Sequence, residues 1–278
     1  MSRTPRRLAS VLTAVVAAAA LVALSACSSS STSTTHGLQT VTAGKLTIAT
    51  GQPAYSPWVI DNKPQNGKGF ESAVAYAVAK KLGFSKDEVT WVRTGFDEAI
   101  APGPKNFDFN LQQFSITDQR KKAVDFSSPY YTTTQAIVAY KGTPIASATS
   151  AADLKGYKIG VPAGTTSYDV LVKEVGGTPA VFNSEDDAVQ ALKSKQIDAI
   201  AVDLPAAFYI TSAQLKNATI VGQFSDTTGG DDYGLVLPKN SPNTKKVTAA
   251  VDALRKDGTL AALEKKWLSD SVNVPTFK

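Results

Sequence analysis

The chemistry open to this chain is limited by two scarce residues. There is one cysteine, Cys27, and one histidine, His36, and both precede the first predicted strand. A thiol nucleophile, a Cys/His zinc site and a Ser-His-Asp triad are therefore excluded from the part expected to fold. No disulfide can form within the chain. Carboxylates, Lys, Arg, Tyr and hydroxyls remain. Ser115-Ile116-Thr117-Asp118-Gln119-Arg120 sets hydroxyls near a guanidinium. Its planar fork can hold both oxygens of a carboxylate, although an Arg in a polar run is more often a surface ion pair. Gly164-Thr165-Thr166 falls between a predicted strand and a predicted helix. Backbone N–H groups at such a helix start favour an anion, and a Thr hydroxyl there is also an ordinary N-cap. Asp203 follows a strand and precedes Pro205 at another helix start, where capping explains it as well as ligand binding does.

These residues need a frame that brings them together, and the pattern predicts one. Strands are expected at Lys45–Thr50, Glu88–Arg93, Phe107–Leu111, Gln135–Tyr140, Lys158–Val161, Ala180–Phe182, Ala199–Val202, Thr219–Val221 and Gly234–Pro238. Helices are expected at Phe70–Leu82, Ser167–Val175, from Ser184 to near Ser194, and at Leu204–Ser212, Asn243–Asp257 and Thr259–Trp267. Gly83, Gly176-Gly177 and Gly258 act as stops, and Ser184 to Asp187 reads as a capping box. The β-α-β rhythm implies parallel sheets covered by helices. A second series begins near Lys158, so two lobes are expected, with the last helices returning to the first lobe. The chain then crosses between lobes near Ala136–Thr143 and again near Gly230–Leu237.

Composition is ordinary for a globular protein: 278 residues, 43% apolar and 19% charged. Arg3, Arg6 and Arg7 account for most of the net charge of +5. No basic stripe remains to mark a nucleic-acid partner. Those arginines head a leader whose apolar run, Val11–Leu24, is too short for a bilayer span and suits a signal peptide over residues 1–26. Arg6-Arg7 lacks the rest of a twin-arginine motif, so the general secretory route is expected. Leu24-Ser25-Ala26-Cys27 resembles the bacterial lipobox, in which the Cys is acylated and the chain is cut just before it. Two or three acyl chains would hold the protein stably on a membrane. Ser28–Thr35 is all Ser and Thr, and a flexible tether is expected over 27–43.

Phe114–Arg120, followed by Val124-Asp125-Phe126-Ser127-Ser128-Pro129-Tyr130-Tyr131, resembles the polar amino-acid family of bacterial extracellular solute-binding proteins, which deliver ligands to ABC importers. Tyr55-Ser56-Pro57-Trp58, Gly69-Phe70-Glu71, Ala152–Gly156, Val161–Thr166, Ile197-Asp198-Ala199, Val202–Pro205, Tyr233-Gly234, Asp257–Leu260 and Lys266-Trp267 match in order. The resemblance implies an α/β, two-lobed, type II periplasmic-binding-protein-like fold with two hinge strands and the ligand between the lobes. Lobe 1 is then 44–136 plus 235–278, and lobe 2 is 137–234.

The resemblance also implies roles. Arg120 and Ser115 would hold the ligand carboxylate, with Thr166 beside it, and Asp203 would meet the ammonium. Tyr55 and Trp58 would wall the pocket, unless they are core. Gln52 stands where several relatives that take basic or amide ligands carry an acid. Gln112-Gln113 replaces small residues, and Ala73 replaces an acid. The pocket edge is then long and polar, which favours glutamine first. Glutamate is second, with Lys68 or Arg93 as a further cation. No metal or cofactor is expected, and the partners are a permease and, through Cys27, the membrane, with the protein itself a monomer. Two other functions fit the same fold: a cyclohexadienyl dehydratase-like enzyme, for which Asp203 is the general acid in view, and a tethered amino-acid sensor.

Overall fold

The computed structural model describes residues 34–225, 230–268 and 274–278; the leader, Cys27 and the first part of the tether lie outside them. Two very short strands, β1 (Thr34–Thr35) and β2 (Leu38–Gln39), pair about His36-Gly37. Leu38 is buried in the same apolar core as Leu46 and Phe70. The Asn243 side chain accepts from the Gln39 N–H and donates to the Gln39 carbonyl. His36 stands edge-on to Phe84, with ring centroids 4.6 Å apart, and reaches Glu88 at 3.3 Å. The tether expected up to residue 43 is therefore fixed structure from Thr34 onward, and His36 belongs to the fold. One apolar side chain and a pair of amide hydrogen bonds anchor a segment whose composition reads as solvated.

The first lobe carries β3 (Leu46–Thr50), α1 (Phe70–Lys81), β4 (Val89–Arg93), α2 (Phe96–Ile100) and β5 (Phe109–Asn110). β3 is buried along its whole length and pairs in parallel with β4 and β5. α1 buries Phe70, Val74, Ala75, Val78 and Ala79 against it. α2 was not expected: five residues are too few to show a helical period.

β6 (Val124–Tyr140) belongs to both lobes. It begins eleven residues before the strand expected at Gln135, because Ser127-Ser128-Pro129 reads as a loop. The ladder tolerates Pro129 at an irregularity opposite Gly234, where the pairing slips.

The second lobe follows with β7 (Ile159–Pro162), α3 (Ser167–Glu174), β8 (Ala180–Phe182), α4 (Glu185–Lys193), β9 (Ala199–Asp203), α5 (Leu204–Tyr209) and β10 (Ala218–Gln223). β8, β7 and β9 run parallel, while β9 and β10 flank the second half of β6 in antiparallel register. β11 (Gly230–Pro238) pairs with β5 and the first half of β6 and, among the described residues, with no strand confined to the second lobe, so the chain returns to the first lobe between Gln223 and Gly230. α6 (Thr244–Lys256) and α7 (Thr259–Trp267) place Val247, Ala250, Val251, Leu254 and Leu260 in the first-lobe core with Ile48 and Phe70.

The last residues depart from the expected boundary. Residues 274–278 lie on the second lobe, not on the first, where 235–278 was assigned. The Gln223 N–H donates to the Pro275 carbonyl at 2.8 Å, and the Phe277 N–H donates to the Gln223 carbonyl at 2.9 Å. The Lys278 N–H reaches the Thr149 carbonyl. The Phe277 ring packs on Phe224, with centroids 5.3 Å apart, and over Gly222, where a Cβ would come within 2.7 Å of the ring. Two apolar residues in five, Val274 and Phe277, give no legible period.

Candidate ligand-binding site

Every parallel strand of both lobes ends at one cleft, the usual place for ligands in α/β sheets. From lobe 1 come Gly51–Tyr55 after β3, Gly95-Phe96 after β4, and Gln112, Gln113, Ser115 and Arg120 after β5. From lobe 2 come Ala163, Thr165 and Thr166 after β7, Asn183–Glu185 after β8, and Asp203 at the end of β9. The cavity between them measures about 260 Å³, near the lower end for small-molecule pockets.

Arg120 lies in a helical turn just before β6 and is 8% exposed. One Nη donates to the Ser115 carbonyl at 2.8 Å and the other to the Gly164 carbonyl at 2.7 Å, across the cleft. It makes no ion pair among the described residues, so the surface-pair alternative does not hold. Each Nη keeps a second N–H, which leaves a forked donor for an anion. Burial lowers the guanidinium pKa, and the fields of Asp203 and Asp231 counter it. Gly164 has φ +71°, and a Cβ there would sit 2.5 Å from Asp97 Oδ1, so bare backbone is what allows this approach.

Thr166 occupies the N-cap position of α3, yet its hydroxyl makes no capping bond. It donates to Asp231 Oδ2 at 2.5 Å and stands 3.4 Å from Ser115 Oγ in the other lobe. Asp203 likewise stands at the α5 N-cap without capping it. Its carboxylate accepts from Gln135 Nε2 and from the Tyr233 hydroxyl. Gln135 Nε2 also donates to Asp231 Oδ2 at 2.8 Å, and Gln135 Oε1 accepts from Ser167 at 2.6 Å. Both hinge strands thus supply the shell behind the site. Neither Thr166 nor Asp203 spends its side chain on capping its helix, so both side chains are turned to the cleft network instead.

The electrostatics are uneven. Among the described residues lining the cleft, Arg120 is the single cationic side chain, and Glu185 and Asp203 are the acidic ones. Burial first, then the field of Asp231, pushes the Asp203 carboxyl up to about 7. Burial, then Asp203 and Asp186, raises half-buried Glu185 to about 7 as well. Neither of the expected extra cations reaches the cleft. Arg93 is committed to the Gly51 carbonyl and to Asn62, and Lys68 is exposed away from it.

Gln52, Tyr55, Gln113, Ser115, Arg120, Thr166 and Asp203 all line this cavity. Gln52 is exposed at its edge. Tyr55 spans the lobes, donating its hydroxyl to Asp186 Oδ2 at 2.7 Å; burial and that carboxylate raise its pKa. Trp58 does not line it. It is 2% exposed, packs among Phe70, Tyr131 and Tyr233, and touches only a small adjoining recess. Its role in packing, the alternative held open for it, is what the geometry supports. Sequence reasoning missed Glu185, because Ser184–Asp187 reads as a capping box and Ser184 does accept from the Asp187 N–H. It also missed Gln135 and Asp231, which stand on hinge strands that carry no local signal for a site.

Residues 46–270 match the family model of bacterial extracellular solute-binding proteins, family 3. The chain is 31% identical over 240 residues to the L-cystine-binding protein TcyJ of Escherichia coli (strain K12), covering 85% of this chain and 88% of that protein. It is 28% identical over 214 residues to the ABC transporter glutamine-binding protein GlnH of Bacillus subtilis (strain 168), covering 74% of this chain and 76% of GlnH. A solved structure of an ancestral arginine-binding protein bound to glutamine superposes with a TM-score of 0.67 at 35% identity, over 81% of this chain and 98% of that one. With the two-lobed α/β fold, the paired hinge strands and the cleft at the strand ends all in place, the chain belongs to the family 3 bacterial extracellular solute-binding proteins.

Proposed function

We propose that this chain is the ligand-binding component of an ABC importer, held at the membrane through Cys27, and that it carries a polar L-α-amino acid, glutamine before others, to a permease. The observation that carries the reading is the pairing of one buried cation with a separate carboxylate. Arg120, with Ser115 and Thr166 beside it, offers a carboxylate the free N–H donors of its guanidinium, and Asp203 is the counterpart for an ammonium. Three neutral amides, Gln52, Gln112 and Gln113, line the same cavity and suit a terminal carboxamide, which both donates and accepts. Glutamate, the second choice from sequence, recedes. Its distal carboxylate finds no cation beyond Arg120 among the lining residues, and it faces Glu185. Glu185 instead supports an amino acid with a cationic side chain as the second ligand class.

The competing reading is an elimination catalysed on the same fold. It needs a general acid, and both Asp203 and Glu185 hold protons near neutrality. Calorimetry with glutamine, arginine, lysine, cystine and glutamate, beside a product assay with prephenate and arogenate, separates the two. Saturable binding without product formation supports the carrier. Turnover with no amino-acid binding overturns it. The tethered sensor would bind the same ligands and is distinguished by whether deleting the gene abolishes uptake of the ligand.

A further inference from the structure

Gln113 is held in an unusual way. Its φ is +50°, a left-handed conformation uncommon for a non-glycine residue. Glu71 does the fixing. The Gln113 N–H donates to Glu71 Oε1 at 2.8 Å, and its side-chain Nε2 donates to Glu71 Oε2 at 2.6 Å. The Tyr130 hydroxyl donates to the same Oε1 at 2.5 Å. Glu71 is in the first turn of α1, 1% exposed, and does not line the cleft. Gln113 lines both the cleft and the recess beside it, which also holds Asp203 and Glu185.

An ionised carboxylate only accepts hydrogen bonds. Facing one, a carboxamide must turn its nitrogen inward, and its oxygen is then the end left over. Among the described residues nothing donates to Gln113 Oε1, and that oxygen is not a buried orphan. A glutamine that could in principle donate or accept has been committed to accepting.

We propose that Glu71 is a positioning residue that sets ligand selectivity from outside the cleft: by holding Gln113 Nε2, it makes the Gln113 carbonyl oxygen the group presented to the ligand, so this wall reads a hydrogen-bond donor. The inference rests on the reading of the cleft as an amino-acid site. Ligands with a distal N–H, a carboxamide or a cation, satisfy the wall. A distal carboxylate leaves two acceptors facing one another and is rejected. The polarity of Gln113 then agrees with that of Glu185.

Glu71→Gln tests this with almost no change of shape. The new Oε1 still accepts from the Gln113 N–H and from Tyr130, but an NH2 replaces Oε2. Gln113 must then turn its oxygen inward and present its NH2 to the cleft. Calorimetry at pH 8 keeps the native Glu71 ionised, since burial raises it to about 7. The glutamate-to-glutamine affinity ratio should rise at least about tenfold in Glu71→Gln. In a Gln113→Ala background the same substitution should leave the ratio unmoved. A uniform loss for every ligand, or a shift that persists without Gln113, overturns the proposal. A second measurement needs neither the variant nor a ligand. The assigned side-chain amide protons of Gln113 in the native protein should exchange slowly with solvent at pH 8, as protons facing Glu71. Fast exchange overturns the proposal even if no amino acid binds, whereas slow exchange with no amino-acid binding refutes the reading of the site and leaves the positioning intact.

Discussion

Ligand binding should expel protons, and the amount follows from the two carboxyls in the cleft. Asp203 and Glu185 both titrate near 7 in the empty site, chiefly because burial disfavours their charge. At pH 7 each is therefore about half protonated. An ammonium against Asp203, and a donor against Glu185, favour the ionised forms and pull both values down. Their folded, unliganded pKa values are raised, so lowering the pH through 7 stabilises the empty form and opposes binding. A group titrating near 7 that must ionise for binding weakens affinity about tenfold between pH 8 and pH 6. If Asp203 alone responds, Kd should rise about tenfold on that descent; if Glu185 responds too, about a hundredfold. A free amino acid keeps both of its own charges across this range. Calorimetry in two buffers of different ionisation enthalpy at pH 7 should report up to about one proton released, half from each group. In Glu185→Gln the pH dependence should shrink to the tenfold limb. Affinity that is flat from pH 6 to 8, or that strengthens as the pH falls, would refute the placement of these carboxyls against the ligand's donors.

Arg120→Ala should weaken the preferred ligand by roughly 2–5 kcal/mol, because the ligand carboxylate loses its charged partner in a buried site; calorimetry on a variant whose circular dichroism is unchanged checks it, and equal affinity would falsify the assignment. Gln52→Asp should improve arginine relative to glutamine by less than Glu185→Gln worsens it, since Gln52 lies exposed at the cavity edge and Glu185 is half-buried within it; a competition series on the three proteins ranks them. Phe277→Ala should lower stability by about 1 kcal/mol, the loss of one half-buried ring, read as a fall in Tm with ligand affinity retained. Cys27→Ser should move the protein from the membrane fraction to the soluble one; retention on membranes in high salt would count against the lipid anchor.

The alternation of strands and helices was legible because each element repeats a period over enough residues to be seen: Phe70 to Lys81 and Thr244 to Lys256 bury one face each. α2 and the terminal pairing at Gln223 were not legible, because five helical residues and a single bridge show no period. The first half of β6 was hidden by Ser127-Ser128-Pro129, whose local preference the long ladder with β11 overrides. For the candidate site, Ser115, Arg120, Thr166 and Asp203, which line the cavity at or beyond strand ends, were legible through motif order. What supports them was not. Gln135 touches Asp203, Asp231 and Ser167, residues 32 to 96 positions away in the chain, and only the hinge brings them together. Glu71 was quoted only as part of a motif, and its grip on Gln113 spans 42 positions.

The pairing of residues 274–278 with β10 puts the two ends of the described chain on different bodies. Thr34 starts in the first lobe, beside Leu38 and Asn243, and Lys278 finishes on the second, at Thr149. Dyes at Thr34 and Lys278 would therefore report any change in the separation of the lobes, with no label placed in the cleft or on a hinge strand. The same arrangement makes the molecule mechanically asymmetric. An anchor placed at the amino end would hold one lobe and a fusion at the carboxyl end would ride on the other, so cargo attached there would follow any movement of the second lobe against the first.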